Sequence, residues 1–85
     1  MKRFSDIKLD WIEEKNNLKK SFLFEDFDSS VEFVNKVALV ANKLNHHPTI
    51  TINYNKVKIE TTTHDEGNII TEKDYQLCEE IDKIF

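Results

Sequence analysis

At 85 residues the chain suffices for one domain. A domain that small buries only about 60% of its unfolded surface, so a thin core and self-association are expected. Its 12 basic and 16 acidic residues leave a net charge of −4, which argues against a nucleic-acid surface. No run approaches the roughly 20 apolar residues of a membrane span. Met1-Lys2-Arg3-Phe4 leads into no apolar stretch, so a signal peptide is not expected either. Cys78 is the single cysteine, which excludes an intramolecular disulfide and fits a reducing cytoplasm.

In chain order, residues 1–10 have no clear period and read as a lead-in to a single domain spanning 1–85. Two strands are predicted next, Trp11–Glu14 and Leu18–Phe24, with Asn16-Asn17 at the turn, because Asn tolerates left-handed backbone. Leu18, Lys20, Phe22 and Phe24 share one face at period two, and Lys19, Ser21 and Leu23 the other. Lys19-Lys20 reads as a solvated strand face. Ser29 and Glu32 fit a capping box, with Asp28 as the rival cap, ahead of a long helix. Val31, Val34, Val37, Ala38, Ala41 and Leu44 recur on it at helical spacing, and Phe33 and Val40 widen the stripe. Pro48 enforces the stop, which puts His46 and His47 at or just past the helix end. A second hairpin follows: Ile50, Ile52 and Tyr54, a turn at Asn55-Lys56, then Val57, Ile59 and Thr61. His64-Asp65-Glu66-Gly67-Asn68 reads as a loop. Thr71 and Asp74 cap a last helix whose inner face is Leu77, Ile81 and Ile84. The order ββαββα predicts an α+β fold, a four-stranded antiparallel sheet with helices packed on one face.

All three histidines fall at element ends. Chain reversal after Pro48 brings His64 back toward the helix end carrying His46 and His47. Histidine gives and takes protons near neutrality, so a converging set can supply both an acid and a base. The plainer alternative is that histidines at a helix C-terminus only complement its dipole. Zinc is a further alternative for three imidazoles. Against it, adjacent residues at a helix end point in different directions, and no HxH or HExxH spacing is present. Cys78 reads as a packing residue inside the last helix. No glycine-rich phosphate loop occurs, and Glu13-Glu14 and Glu79-Glu80 read as solvated faces.

Asn45-His46-His47-Pro48, Tyr54-Asn55-Lys56-Val57, Thr63-His64-Asp65 and Thr71-Glu72-Lys73-Asp74 stand in an order and spacing similar to those of the pterin-4a-carbinolamine dehydratases. Phe24 and Phe27 before the helix, Val37-Ala38 within it, and Trp11 agree as well, so the resemblance covers about residues 11–84. It implies a dimer or tetramer without metal or organic cofactor, acting on a small pterin. The implied activity is loss of water from a 4a-hydroxytetrahydropterin to give the quinonoid dihydropterin. By the same resemblance the catalytic residues fall on His46, His47 and His64, and the substrate-binding ones on Trp11, Asn45, Pro48, Thr63 and Asp65. Four features depart from the family pattern, the first being that only ten residues precede Trp11 where many members carry a longer N-terminal helix. Asn42 stands where a Glu is common, Thr49-Ile50 replaces a frequent acidic-aromatic pair, and the loop through Gly67 to Thr71 is one residue longer. Relatives of such a fold also serve as dimerisation or assembly cofactors, and a role with another pterin is a third alternative. Keeping all three histidines favours the enzyme.

Overall fold

The computed structural model describes residues 11–85, and the expected lead-in lies outside them. The elements are β1 (Ile12–Glu14), β2 (Asn17–Leu23), α1 (Phe27–Leu44), β3 (Thr49–Asn53), β4 (Lys56–Thr61) and α2 (Glu72–Ile84). A short 3-10 turn, His64–Glu66, lies between β4 and α2. The strands form one antiparallel sheet in the order β1-β2-β4-β3. This is the expected α+β architecture.

Strand alternation decides the faces. In the β2–β4 ladder, Leu18 lies opposite Thr61, Lys20 opposite Ile59, and Phe22 opposite Val57. This face meets α1 and α2 and forms the core with Phe33, Val37 and Ala41 of α1 and Leu77, Cys78 and Ile81 of α2. The opposite face carries Lys19, Ser21, Leu23, Lys58 and Glu60, none of them buried. Lys20 therefore does not join Lys19 on a solvated face. It points inward, where its ammonium pairs with Asp82 at 3.0 Å and lies over the Phe22 ring at 5.0 Å. The aliphatic stem of a lysine can fill core space while its charge reaches a carboxylate.

Boundaries shift for local reasons. The first turn is Lys15-Asn16, both at positive φ (51° and 63°), rather than Asn16-Asn17. That is the two-residue form suited to the right-handed twist of a hairpin. Asn17 instead joins the ladder opposite Glu14, and its side-chain amide donates to the Lys15 carbonyl. The second turn also sits one residue earlier, at Tyr54-Asn55, because Asn53 pairs with Lys56. Helix α1 is capped three residues before the expected Ser29: Asp26 is extended and its carboxylate accepts from the Ser29 N–H at 2.8 Å. Its inner face is narrower than the predicted stripe. Ser30, Phe33, Val37 and Ala41 are buried, Val31, Val34, Val40 and Leu44 are half-buried, and Ala38 faces solvent. Thr71 and Asp74 form the expected reciprocal cap of α2.

Candidate functional site: a histidine cleft anchored by a buried carboxylate

The end of α1 sets the first two histidines. Asn45 takes the left-handed conformation at φ 51°. The Asn45 N–H donates to Asn42 O at 3.2 Å and the His46 N–H to Ala41 O at 3.0 Å. This pair of bonds is the Schellman closure of a helix, with Asn in the position glycine usually takes. The helix thus stops at Leu44 through Asn45, before Pro48 can act. The closure turns His46 beneath the helix end toward the sheet.

There His46 Nε2 meets Asp74 Oδ1 at 2.6 Å. Asp74 is fully buried at the start of α2, and its carboxylate gathers four donors. Thr61 Oγ1 donates at 2.6 Å, Thr63 Oγ1 at 2.7 Å and the Thr71 N–H at 2.9 Å, with His46 as the fourth. Thr63 gives its one hydrogen to Asp74, so the Thr71 hydroxyl donates to Thr63 Oγ1 across 2.7 Å. Burial pushes the Asp74 carboxyl up. The bonds from Thr61, His46, the Thr71 N–H and Thr63 outweigh it and hold the group below its ordinary value. The result is a buried anion whose single titratable partner among these donors is His46.

His47 points elsewhere, as adjacent residues at a helix end must: its Nε2 lies 2.9 Å from Asn42 Oδ1, one turn back on α1. His64 lies three residues past β4, at the start of the 3-10 turn. Its Nδ1 lies 2.6 Å from Asn68 Oδ1. Asn45, His46, His47, Thr62, Thr63, His64 and Asp65 line one open cleft of about 160 Å³. The chain reversal inferred from sequence therefore does bring the three histidines to one place. Among the described residues no group of three His, Cys, Asp or Glu side chains is arranged to hold a metal ion.

Of the residues carried over by resemblance, Asn45, Thr63 and Asp65 line the cleft together with the histidines. Pro48 is half-buried between His47 and β3 and is not part of the lining. Trp11 is in the core, edge-on to Phe22 at 5.9 Å, with its Nε1–H donating to Asp82 at 3.1 Å. Of the three side chains bonded to the histidines, Asp74 and Asn68 were not singled out as site residues from sequence, and Asn42 stood out only as a departure from the family's Glu. The signal for Asp74 lies in Thr61-Thr62-Thr63, three consecutive polar residues that the structure buries. Buried hydroxyls need a partner, and an acceptor from another element was owed to them.

The profile of the family described as Pterin 4 alpha carbinolamine dehydratase matches residues 2–84. The chain belongs to this family. A relative from Sulfolobus acidocaldarius, assigned by name to the pterin-4-alpha-carbinolamine dehydratases, is 47% identical over 74 residues, 87% of this chain and 80% of its own. One from Prochlorococcus marinus bearing the same family name is 49% identical over 74 residues, 87% of this chain and 77% of its own. Among solved structures, a transcriptional coactivator/pterin dehydratase from Brucella melitensis superposes with a TM-score of 0.83 at 35% identity, covering 89% of this chain and 83% of that one. A pterin dehydratase-like RuBisCO assembly factor of the alpha-carboxysome shares the fold, with a TM-score of 0.70 at 18% identity over 89% of this chain and 87% of that one. No helix among the described residues is long and apolar enough to cross a membrane.

Proposed function

We propose that the cleft removes water from a 4a-hydroxytetrahydropterin to give the quinonoid dihydropterin, with His46, His47 and His64 as its acid–base residues. The observation that carries this reading is the convergence of three imidazoles on one cleft, one of them seated on a buried carboxylate. The chemistry asks for both a donor and an acceptor. A proton is delivered to the C4a hydroxyl, the C4a–O bond breaks with its electrons leaving in water, the N5 lone pair forms the C4a=N5 bond, and the N5 hydrogen is taken up. Proton in and proton out balance, so the net change is the loss of one water and no redox partner is required. In this reading the protein uses no metal or organic cofactor, works as a homodimer or homotetramer, and acts in the cytoplasm on a small pterin. Membership of the family and the names of its close relatives support it.

The test is the stopped-flow decay of chemically generated carbinolamine. His64→Ala and His46→Ala should each lower the rate constant by about 10²-fold or more. Residues that act as a unit are not additive, so the double variant should cost less than the product of the singles. A double variant that stays folded by circular dichroism and dehydrates at the unsubstituted rate would favour a binding or assembly role on the same fold.

A further inference from the structure

Each histidine of the cleft has one ring nitrogen on a side-chain oxygen, and the three oxygens differ in kind. His46 has a carboxylate. His47 Nε2 and His64 Nδ1 each have a neutral amide carbonyl, that of Asn42 at 2.9 Å and that of Asn68 at 2.6 Å. A carbonyl oxygen only accepts, so the ring nitrogen facing it carries the hydrogen, and in the neutral ring the other nitrogen keeps its lone pair. The two asparagines hold opposite nitrogens. His47 is left with Nδ1 as its open acceptor, and His64 with Nε2.

We propose that Asn42 and Asn68 are positioning residues that fix these complementary tautomers, presenting His47 Nδ1 and His64 Nε2 to the substrate. The role deepens the dehydratase reading and rests on it for its consequence in turnover, while the tautomers themselves stand on geometry alone. The backbone around Asn68 is built to deliver its amide. Thr63 N–H donates to Ile69 O at 2.9 Å and Asn68 N–H to Thr63 O at 3.1 Å, which closes the segment into a tight turn beneath His64. Gly67 and Asn68 are both left-handed, at φ 86° and 61°. Asn is among the few residues with a side chain that enter this region readily, so one residue can meet the backbone demand and offer an acceptor. Asn42 lies on an exposed helical position whose backbone makes no such demand, and its amide reaches His47 across the helix end.

Glycine at 68 keeps the left-handed backbone and removes only the acceptor, while aspartate keeps an acceptor at the same place. Nitrogen-15 imidazole spectra, recorded at a pH high enough that the ring shifts no longer move, report which nitrogen bears hydrogen without any substrate. The unsubstituted protein should show His64 as Nδ1–H and His47 as Nε2–H. Asn68→Gly should turn His64 into a mixture of both forms while His47 is unchanged, and Asn68→Asp should restore Nδ1–H. Asn42→Ala should do to His47 what Asn68→Gly does to His64. In dehydration assays Asn68→Gly should lower kcat by about tenfold, the loss expected when one proton-transfer group is no longer held in its productive form. Observation of His64 as Nε2–H, or a tautomer unmoved by both Asn68→Gly and Asn42→Ala, overturns the proposal. A protein that shows the expected tautomers yet does not dehydrate the pterin fails the functional reading instead. Should Asn68→Gly not fold, Asn42→Ala and Asn68→Asp carry the same comparison.

Discussion

Asp74 is both a cap and a counter-ion. Its oxygens accept from two threonine hydroxyls, a backbone N–H and His46, with no exposure to water. Asn at this position replaces an acceptor-only group by one that brings hydrogens of its own toward donors. Hydrogen bonds to a charged group are worth about 1.5–3 kcal/mol each, and losing them buried leaves their partners unpaired. Asp74→Asn should therefore lower the unfolding free energy by about 2–3 kcal/mol in urea titrations at neutral pH. It should also change the acid limb. The carboxyl is held below its ordinary value, so its stabilisation is fully present above about pH 4 and fades as pH falls through the folded-state value. Below pH 4 the unsubstituted protein should lose stability more steeply than Asp74→Asn, and equal slopes would remove Asp74 as the cause. At this scale the sequence was legible for what a residue is rather than for what it touches. The histidines stood out by type and by their resemblance to a known pattern. The His46–Asp74 contact spans 28 residues, and only tertiary structure could join them.

Element order and type were readable because hydrophobic alternation and helical spacing are strong along most of this chain, while the facing of β2 was not, because both of its faces mix polar and apolar residues. Caps and turns were less so, because several neighbouring residues have the right chemistry and register decides among them. Asp26, Asp28 and Ser29 can all cap a helix, and Asp26 does so because the extended backbone lies there. Asp26→Ala should cost about 1 kcal/mol of stability by thermal or chemical denaturation, while Ser29→Ala should cost less, since it removes only the hydroxyl's bond to Asp26 and keeps the backbone N–H on the cap. The reverse ranking would return the cap to its sequence-predicted place. The end of α1 carries a similar lesson. Proline was the visible stop signal, yet a left-handed Asn ended the helix earlier and thereby aimed His46 at Asp74.

At the scale of the whole molecule the core is small, and apolar side chains remain in water. Leu39 on α1 is 71% exposed, while Val40, Leu44 and Ile84 flank an open groove of about 180 Å³ between the two helices. Burying such surface against another copy is the general remedy for a domain of this size. Light scattering at micromolar concentration should give a multiple of 10.1 kDa, and a stable 10.1 kDa species would refute the expected assembly. The Lys20–Asp82–Trp11 cluster was not legible in advance. A lysine beside another lysine reads as surface, although period two puts Lys20 on the face of Leu18 and Phe22, and its pairing opposite Ile59 shows that this face is the inner one.

The four donors on Asp74 come from the end of β4, the segment after it, the start of α2 and the turn after α1, so one carboxylate fastens the ends of three elements. The cleft accordingly spans two regimes of amide exchange. The amide of Thr71 is bonded to Asp74, and that of His46 closes the helix whose end this carboxylate holds. Hydrogen-exchange measurements should therefore find these amides among the slowest of the domain, since freeing them requires the three elements to part. The Gly67 and Asn68 amides close an exposed turn on carbonyls of residues only a few positions away, and local fraying frees them. His46 is thus tied to a buried carboxylate and to a closed helix end, whereas His64 opens an exposed turn closed by bonds between near neighbours in sequence.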